Sequence, residues 1–185
     1  MSRIGHFEAL EKLLDPDPQR GAEIGVYRGD LSIWLLEKYR NLHLTLVDRW
    51  TPPEPNDSWA TYESEALIAL TADQHEENLE RLKWFMKVAP ERNTILRMDF
   101  RDAAKHVEDD SLDFIYLDAD HSKQGTLAAI ECWAPKVRSG GVVGGHDWSY
   151  VFVGVQEAIL EYTGARGISP EAITIIRGTW GYIQP

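Results

Sequence analysis

Two apolar runs in this 185-residue chain end in residues able to move a proton or hold a cation: Phe114–His121 reads FIYLDADH and Val142–Trp148 reads VVGGHDW. In an open α/β sheet, ligands gather outside the carboxyl ends of the strands, so Asp118, Asp120, His121, His146 and Asp147 are expected on one rim. Strands about 4.8 Å apart would let Asp118 and Asp147 converge on a single ion, with His146 as a further ligand. Mg²⁺ is the natural candidate for such hard oxygen donors, since structural zinc prefers thiolates and imidazoles and Cys132 is the only cysteine. A substrate hydroxyl beside that ion would give up its proton more readily. An imidazole is the expected acceptor, His121 first and His146 in reserve. Each residue also has a structural reading: Asp120 as a helix cap, Asp118 as a partner of backbone, His146 as a satisfied rim histidine.

A second constellation lies upstream. Glu23–Gly29 reads EIGVYRG and follows a short apolar stretch. It matches neither GxGxxG nor the P-loop pattern GxxxxGK followed by Ser or Thr. Gly25 would admit a ligand close to the backbone, Gly29 would ease entry into a helix, and Glu23 could accept hydrogen bonds from a cationic amine. Asp48 ends the next apolar run, Leu42–Asp48, near the offset from Gly29 of about 20 residues at which a second-strand acid meets ribose hydroxyls. Arg49 stands beside it.

The elements that must position these residues alternate between helical and strand patterns, the mark of a mostly parallel sheet covered on both faces. The spacing predicts an opening helix over His6–Leu14, strands over Glu23–Val26, Leu42–Asp48, Asn93–Met98, Leu112–Asp118 and Val142–His146, and a closing hairpin over Ile173–Arg177 and Trp180–Ile183. A turn at Ser139–Gly141 is expected to precede the fifth strand. The helix after Gly29 is expected to turn Leu31, Trp34, Leu35 and Lys38 inward. Further helices are predicted over Thr126–Val137 and Gly154–Tyr162. The stretch 51–90 is longer than one crossover needs and opens with Pro52, Pro53 and Pro55. It reads as a flap carrying helical patterns at Trp59–Leu70 and Gln74–Val88. Of the tryptophans, Trp34, Trp84 and Trp133 are expected in the core, and Trp50, Trp59 and Trp148 near a substrate. The acidic run Glu76, Glu77, Glu80 reads as a solvated helix face.

Bulk properties narrow the function. The length suits one domain with a sizeable core, residues 1–185. A formal charge of -11 without any Lys/Arg block disfavours nucleic acid as a partner. No apolar run approaches the roughly 20 residues that span a bilayer, so no membrane partner is expected. One cysteine and the lack of an export pattern at the start point to a cytoplasmic location.

With these motifs in order, the chain resembles the class I S-adenosylmethionine-dependent methyltransferases. Within them it is similar to the family 24 type, which includes macrolide-sugar methyltransferases and shares its layout with catechol O-methyltransferases. The residues that carry the resemblance are EIGVYRG (23–29), VDRW (47–50), RMDF (97–100), DFIYLDADHS (113–122) and SGGVVGGHDW (139–148). The resemblance implies a Rossmann-like seven-stranded sheet, mostly parallel, with an antiparallel strand in the C-terminal hairpin and helices on both faces. It implies S-adenosylmethionine as cofactor, with Glu23, Gly25, Tyr27 and Gly29 around its methionine portion, Asp48 with Arg49 at the ribose, Met98, Asp99 and Phe100 at the adenine, and Asp118 touching cofactor or metal. Metal-dependent relatives usually carry an Asp-Asp or Asp-Asn pair where this chain has His146 and Asp147. The implied activity is O-methylation of a small hydroxylated metabolite, glycoside or polyphenol-like, with Mg²⁺ as a candidate assistant and a homodimer as the assembly suggested by analogy. Two other readings stand beside it. A metal-dependent hydrolase would use the five rim residues but leave Glu23–Gly29 and Asp48 without a role; a silent cofactor-binding protein would keep the fold without turnover.

Overall fold

The structure, a computed structural model, describes residues 4–53 and 70–185. Seven strands form one sheet: β1 (Arg20–Ile24), β2 (His43–Asp48), β3 (Asn93–Arg97), β4 (Leu112–Leu117), β5 (Val137–Gly145), β6 (Thr174–Ile176) and β7 (Thr179–Ile183). Their order is β3-β2-β1-β4-β5-β7-β6, parallel from β3 to β5, with β7 antiparallel to both of its neighbours. The expected mostly parallel sheet with an antiparallel strand in the C-terminal hairpin is therefore what the chain forms. The helices are α1 (Ile4–Glu11), α2 (Asp30–Lys38), α3 (Ala72–Met86), the single turn α4 (Phe100–Ala103), α5 (Lys123–Trp133) and α6 (Val153–Gly164).

Alternation along β4 explains why both faces are covered. Phe114 and Tyr116 join a buried cluster with Leu10 of α1, Leu31 and Leu35 of α2, and Leu79 and Leu82 of α3. Ile115 and Leu117 point the other way, into a cluster with Ile130 and Trp133 of α5 and Val155 and Ile159 of α6. Successive side chains of a strand face opposite sides, so an unbroken apolar run is what a strand buried on both faces requires.

Several local expectations are corrected. β1 stops at Ile24 because Gly25 leaves the strand at φ 92°. A Cβ there would stand 2.0 Å from the Asp118 carbonyl oxygen, so only glycine permits the close approach of the chain to the end of β4. β5 begins at Val137, and Ser139–Gly141 belong to it rather than to a preceding turn. The register against β4 shifts between Leu112↔Val137 and Phe114↔Val142, and Gly140 at φ 78° absorbs the irregularity. Lys38 turns outward to Glu11, 2.7 Å away. Trp84 is 63% exposed instead of core, while Trp50 is fully buried instead of facing a substrate. Trp148 is half-buried against the core. Within the stretch expected as a flap, α3 buries His75, Leu79, Leu82 and Met86 and is capped by Thr71 and Gln74 in a reciprocal capping box. The pattern at Trp59–Leu70 lies outside the described residues but for Leu70. Glu76, Glu77 and Glu80 are exposed, as expected for a solvated face.

The two helical tryptophans give a direct check. Trp133→Ala is expected to lower the free energy of urea unfolding by about 3–5 kcal/mol, through lost packing and the lost hydrogen bond to the Phe100 carbonyl. Trp84→Ala should stay within about 0.5 kcal/mol of the unchanged protein.

Candidate active site

The sheet aligns one residue from each central strand. Val47, Ile24, Leu117 and Gly145 lie in one row, through the pairs Ile24↔Val47, Ile24↔Leu117 and Leu117↔Gly145. The next residues are Asp48, Gly25, Asp118 and His146, held in the same order by Gly25 N–H to Val47 C=O at 2.9 Å, Asp118 N–H to Ile24 C=O at 2.8 Å and His146 N–H to Leu117 C=O at 3.0 Å. They open onto a cavity of about 870 Å³.

One end of the cavity is built around Asp48. Its carboxylate accepts the Tyr27 N–H and the Trp50 N–H, each at 2.8 Å. The indole N–H of Trp50 in turn donates to the Tyr27 carbonyl at 2.8 Å. This ties the turn after β1 to the end of β2 and holds Tyr27 at φ 52° and Trp50 at φ 48°. Left-handed backbone in bulky residues is strained and persists where the surroundings impose it. Glu23 is 3% exposed and lines the same cavity. The Ser32 hydroxyl donates to it. Burial pushes the Glu23 carboxyl well above the usual carboxylate range; the Ser32 hydrogen bond opposes this, and the negative charges of Asp118, Asp48 and Asp30 add to it. Such a group is best satisfied by an added cation. Met98, Asp99 and Phe100 also line the cavity, with Asp99 capping α4 and Phe100 lying under the Arg101 guanidinium at 4.3 Å.

The other end collects acids and imidazoles. His121 Nε2 is 3.0 Å from one oxygen of Asp147 and 3.5 Å from Asp118. His146 Nδ1 is 3.2 Å from the other oxygen of Asp147 and 4.0 Å from Asp118. Asp147 sits at φ 60°, and its loop is pinned to the β6–β7 hairpin by Trp148 N–H to Gly178 C=O and Trp180 indole N–H to His146 C=O, both 3.0 Å. The Phe152 ring packs on His121 at 4.7 Å. Burial disfavours charge on Asp147, yet hydrogen bonds and attraction from His121 and His146 hold its carboxyl below the ordinary range. Burial likewise opposes a proton on His146, but the carboxylates of Asp147 and Asp118 prevail and raise its pKa.

Among the expected site residues, Glu23, Gly25, Tyr27, Asp48, Arg49, Met98, Asp99, Phe100, Asp118, His121, His146 and Asp147 all line the one cavity. Gly29 does not: its φ is 74°, and a Cβ there would meet the Leu82 side chain, so it serves helix packing. Asp120 reaches the cavity wall but accepts the Ser122 N–H at 2.8 Å, shaping the turn before α5, where Ser122 is the cap. His6, His75 and Phe152 line the cavity without having been expected there. His6 Nδ1 is 3.0 Å from His146 Nε2, across a separation of 140 residues that no local pattern could reveal.

The donor set decides what the acidic end can hold. Asp118, His121 and Asp147 each bring a ligand atom within 4.8 Å of the others. The compact histidine is thus His121, whereas the expected third ligand, His146, faces Asp147 and His6. Mg²⁺ demands oxygen ligands in near-octahedral geometry. Here a nitrogen stands among the carboxylates, and both Asp147 oxygens are engaged by imidazoles, so the arrangement fits magnesium poorly. It fits a hydrogen-bonded acid–base cluster.

Comparison with known proteins agrees with the fold. A family model described as Methyltransferase domain (Methyltransf_24) matches residues 22–148, well over half of the chain. No curated protein matches the sequence. Solved structures that share the fold include the O-methyltransferase NovP, at 20% identity and TM-score 0.65, covering 98% of this chain and 77% of that one. CalS11, a calicheamicin methyltransferase, is similar at 16% identity and TM-score 0.68, over 96% and 76% of the two chains. A cofactor-bound protein from MTB, Rv0187, follows at 15% identity and TM-score 0.59, over 100% and 81%.

The cluster around Asp147 predicts a pH signature. Its depressed carboxyl stabilises the fold fully above the ordinary carboxylate range, a contribution lost as pH falls through the folded-state value. His146, with a raised pKa, contributes below about 6.5, and this is lost as pH rises through the raised value. In urea unfolding, the advantage of the unchanged protein over Asp147→Asn is expected to be largest between about pH 4 and 6.5 and to shrink on both sides. A constant difference from acid to alkaline pH would contradict the arrangement.

Proposed function

We propose, from the premise that this chain belongs to the methyltransferase-domain family matched over residues 22–148, that it methylates a hydroxyl of a small molecule. The chain is an S-adenosylmethionine-dependent methyltransferase; the hydroxyl acceptor and the residue roles are our reading. Family membership leaves no place for the hydrolase alternative. The observation that carries the reading is the pairing, within one cavity, of a buried acid at one end with imidazoles braced by Asp147 at the other.

S-adenosylmethionine, when bound, supplies a methyl group on a sulfonium. Glu23 meets its amino group, because a buried carboxyl raised by desolvation is relieved by an adjacent cation. Asp48 keeps lone pairs beyond the two that take backbone N–H groups, and these receive the ribose hydroxyls. Met98 and Phe100 offer apolar surface for the adenine. At the opposite end His121 would accept the hydroxyl proton of the acceptor as the methyl group is transferred to it. Asp147 holds the ring of His121 in place and, with Asp118, stabilises the imidazolium that results. Most of the rate comes from alignment of oxygen, carbon and sulfur. No step requires magnesium, consistent with the mixed donor set. The acidic balance of the chain favours a small acceptor over a nucleic acid.

The test is transfer of labelled methyl from S-adenosylmethionine to a panel of phenols and glycosides. His121→Gln is expected to lower kcat about 10²–10⁴-fold while binding S-adenosylhomocysteine normally. Chelator should leave the rate within about twofold of the control. Loss of turnover on chelation with recovery on adding Mg²⁺ would overturn the metal-free mechanism.

A further inference from the structure

His6 and His146 meet on the cavity wall in a contact that the proton transfer to His121 does not itself require. His6 Nδ1 lies 3.0 Å from His146 Nε2, and the two rings stand nearly perpendicular with centroids 4.3 Å apart. Apolar side chains would dock a helix here at no polar cost, whereas partly buried imidazoles are tolerated only when hydrogen bonds satisfy them. This pair has such bonds, and they form one continuous line.

On one side the line leads to Asp147. A carboxylate only accepts, so His146 Nδ1, 3.2 Å away, carries a proton and donates it. With that end committed, His6 holds the other, and the ring of His146 is clamped at both nitrogens. Asp147 sits in left-handed backbone at φ 60°, a conformation that its surroundings must hold, and its second oxygen orients His121 at 3.0 Å. On the other side the line leads into the fold. The Thr179 hydroxyl of β7, itself hydrogen-bonded to Tyr116, donates to the His6 carbonyl at 3.5 Å, and the Arg177 backbone hydrogen-bonds the His6 ring. The Arg177 guanidinium lies over Gly5, where a Cβ would stand 2.6 Å from it, and Leu13 rests on Gly181 of β7. The first helix and the last strand together press His6 against His146.

We propose that His6 is a positioning residue for methyl transfer: it clamps His146, which with Asp147 fixes the imidazole of His121 that receives the acceptor's proton. The inference rests on the reading of His121 as the proton acceptor and extends it to α1. It also gives the docking of α1 on the C-terminal hairpin a purpose, since that docking completes the line of contacts behind His121.

The experiment follows the six histidines of the whole protein by imidazole nitrogen–proton NMR at one pH, assigned by single substitutions, together with methyl transfer to whichever panel phenol or glycoside the unchanged protein methylates fastest. His6→Phe should move the ring-nitrogen signals of His146 and also of His121, further along the line, and leave those of His43 and His106 in place. Its kcat should fall about 10–100-fold, with KM and the affinity for S-adenosylhomocysteine held within about twofold, because only alignment is lost. His6→Asn, whose amide reaches the Nδ1 position, should restore the signals and bring kcat to within about threefold of the unchanged protein, while His6→Gln, whose amide passes beyond it, should behave like His6→Phe. The Asn and Gln comparison decides the matter if His6→Phe does not fold, and the signals decide it if no panel compound is methylated. Because His6 acts through His146, adding His6→Phe to His146→Phe should change kcat by less than about twofold. Unmoved His121 signals in His6→Phe and His6→Gln would overturn the proposal, as would an equal loss in His6→Asn, the result expected of a purely structural role. Moved signals with normal turnover in His121→Gln would overturn the reading of His121 as proton acceptor, and this proposal with it.

Discussion

The parallel register of β2, β1, β4 and β5 is the constraint on which the site depends. Because Val47, Ile24, Leu117 and Gly145 share a row, the residues that follow them leave the sheet together, and four chain segments deliver Asp48, Gly25, Asp118 and His146 to one rim. A slip of one residue in any pair would turn a side chain to the other face of the sheet and bury or remove a functional group. The alternating burial of β4 enforces that register: Phe114 and Tyr116 can only face one cluster, Ile115 and Leu117 only the other. Gly25 makes the row possible, since a side chain there would collide with the Asp118 carbonyl.

The rim gathers negative charge that the fold must tolerate, and it does so differently at the two ends. Asp147 is stabilised from within by His121 and His146, which keep it ionised despite burial. Glu23 accepts a hydrogen bond from the Ser32 hydroxyl and is pushed toward its neutral form by burial. The first arrangement is complete in itself and suits proton transfer. The second leaves a buried acid on the cavity wall, where an added cation would be favoured. The strained backbone at Tyr27, Trp50 and Asp147 lies at these same two ends, where hydrogen bonds through backbone or side chain hold it against local preference.

Much of this was legible in the sequence, for a physical reason. Apolar runs that end abruptly in Asp or His mark the carboxyl ends of buried strands, so FIYLDADH and VVGGHDW announced their place and Asp48 announced its partner loop. Boundaries were less legible where glycine changed the backbone: Gly25 ended β1 early, and the irregular register at Gly140 hid the first part of β5. Tryptophan placement held for Trp133 but failed for Trp50 and Trp84, because hydrophobicity does not say whether a helix face meets the sheet or solvent; Trp50 is enclosed by the Tyr27 turn, while Trp84 faces outward. His6 arrives from the far end of the chain and carries no local signal. His75 continues the helical stripe of Leu79, Leu82 and Met86, so the pattern reads it as one more buried position and does not reveal its place on the cavity wall.

The central claim, that Glu23 and Asp48 hold the cofactor at one end of the cavity while the methyl faces the imidazoles at the other, is tested most directly by a crystal structure with S-adenosylhomocysteine. The account predicts the amino group within hydrogen-bond distance of Glu23, the ribose hydroxyls on Asp48, and the sulfur turned toward Asp118 and His121. A nucleoside lying against His121 and Asp147, with Glu23 still enclosed and without a cationic partner, would contradict it.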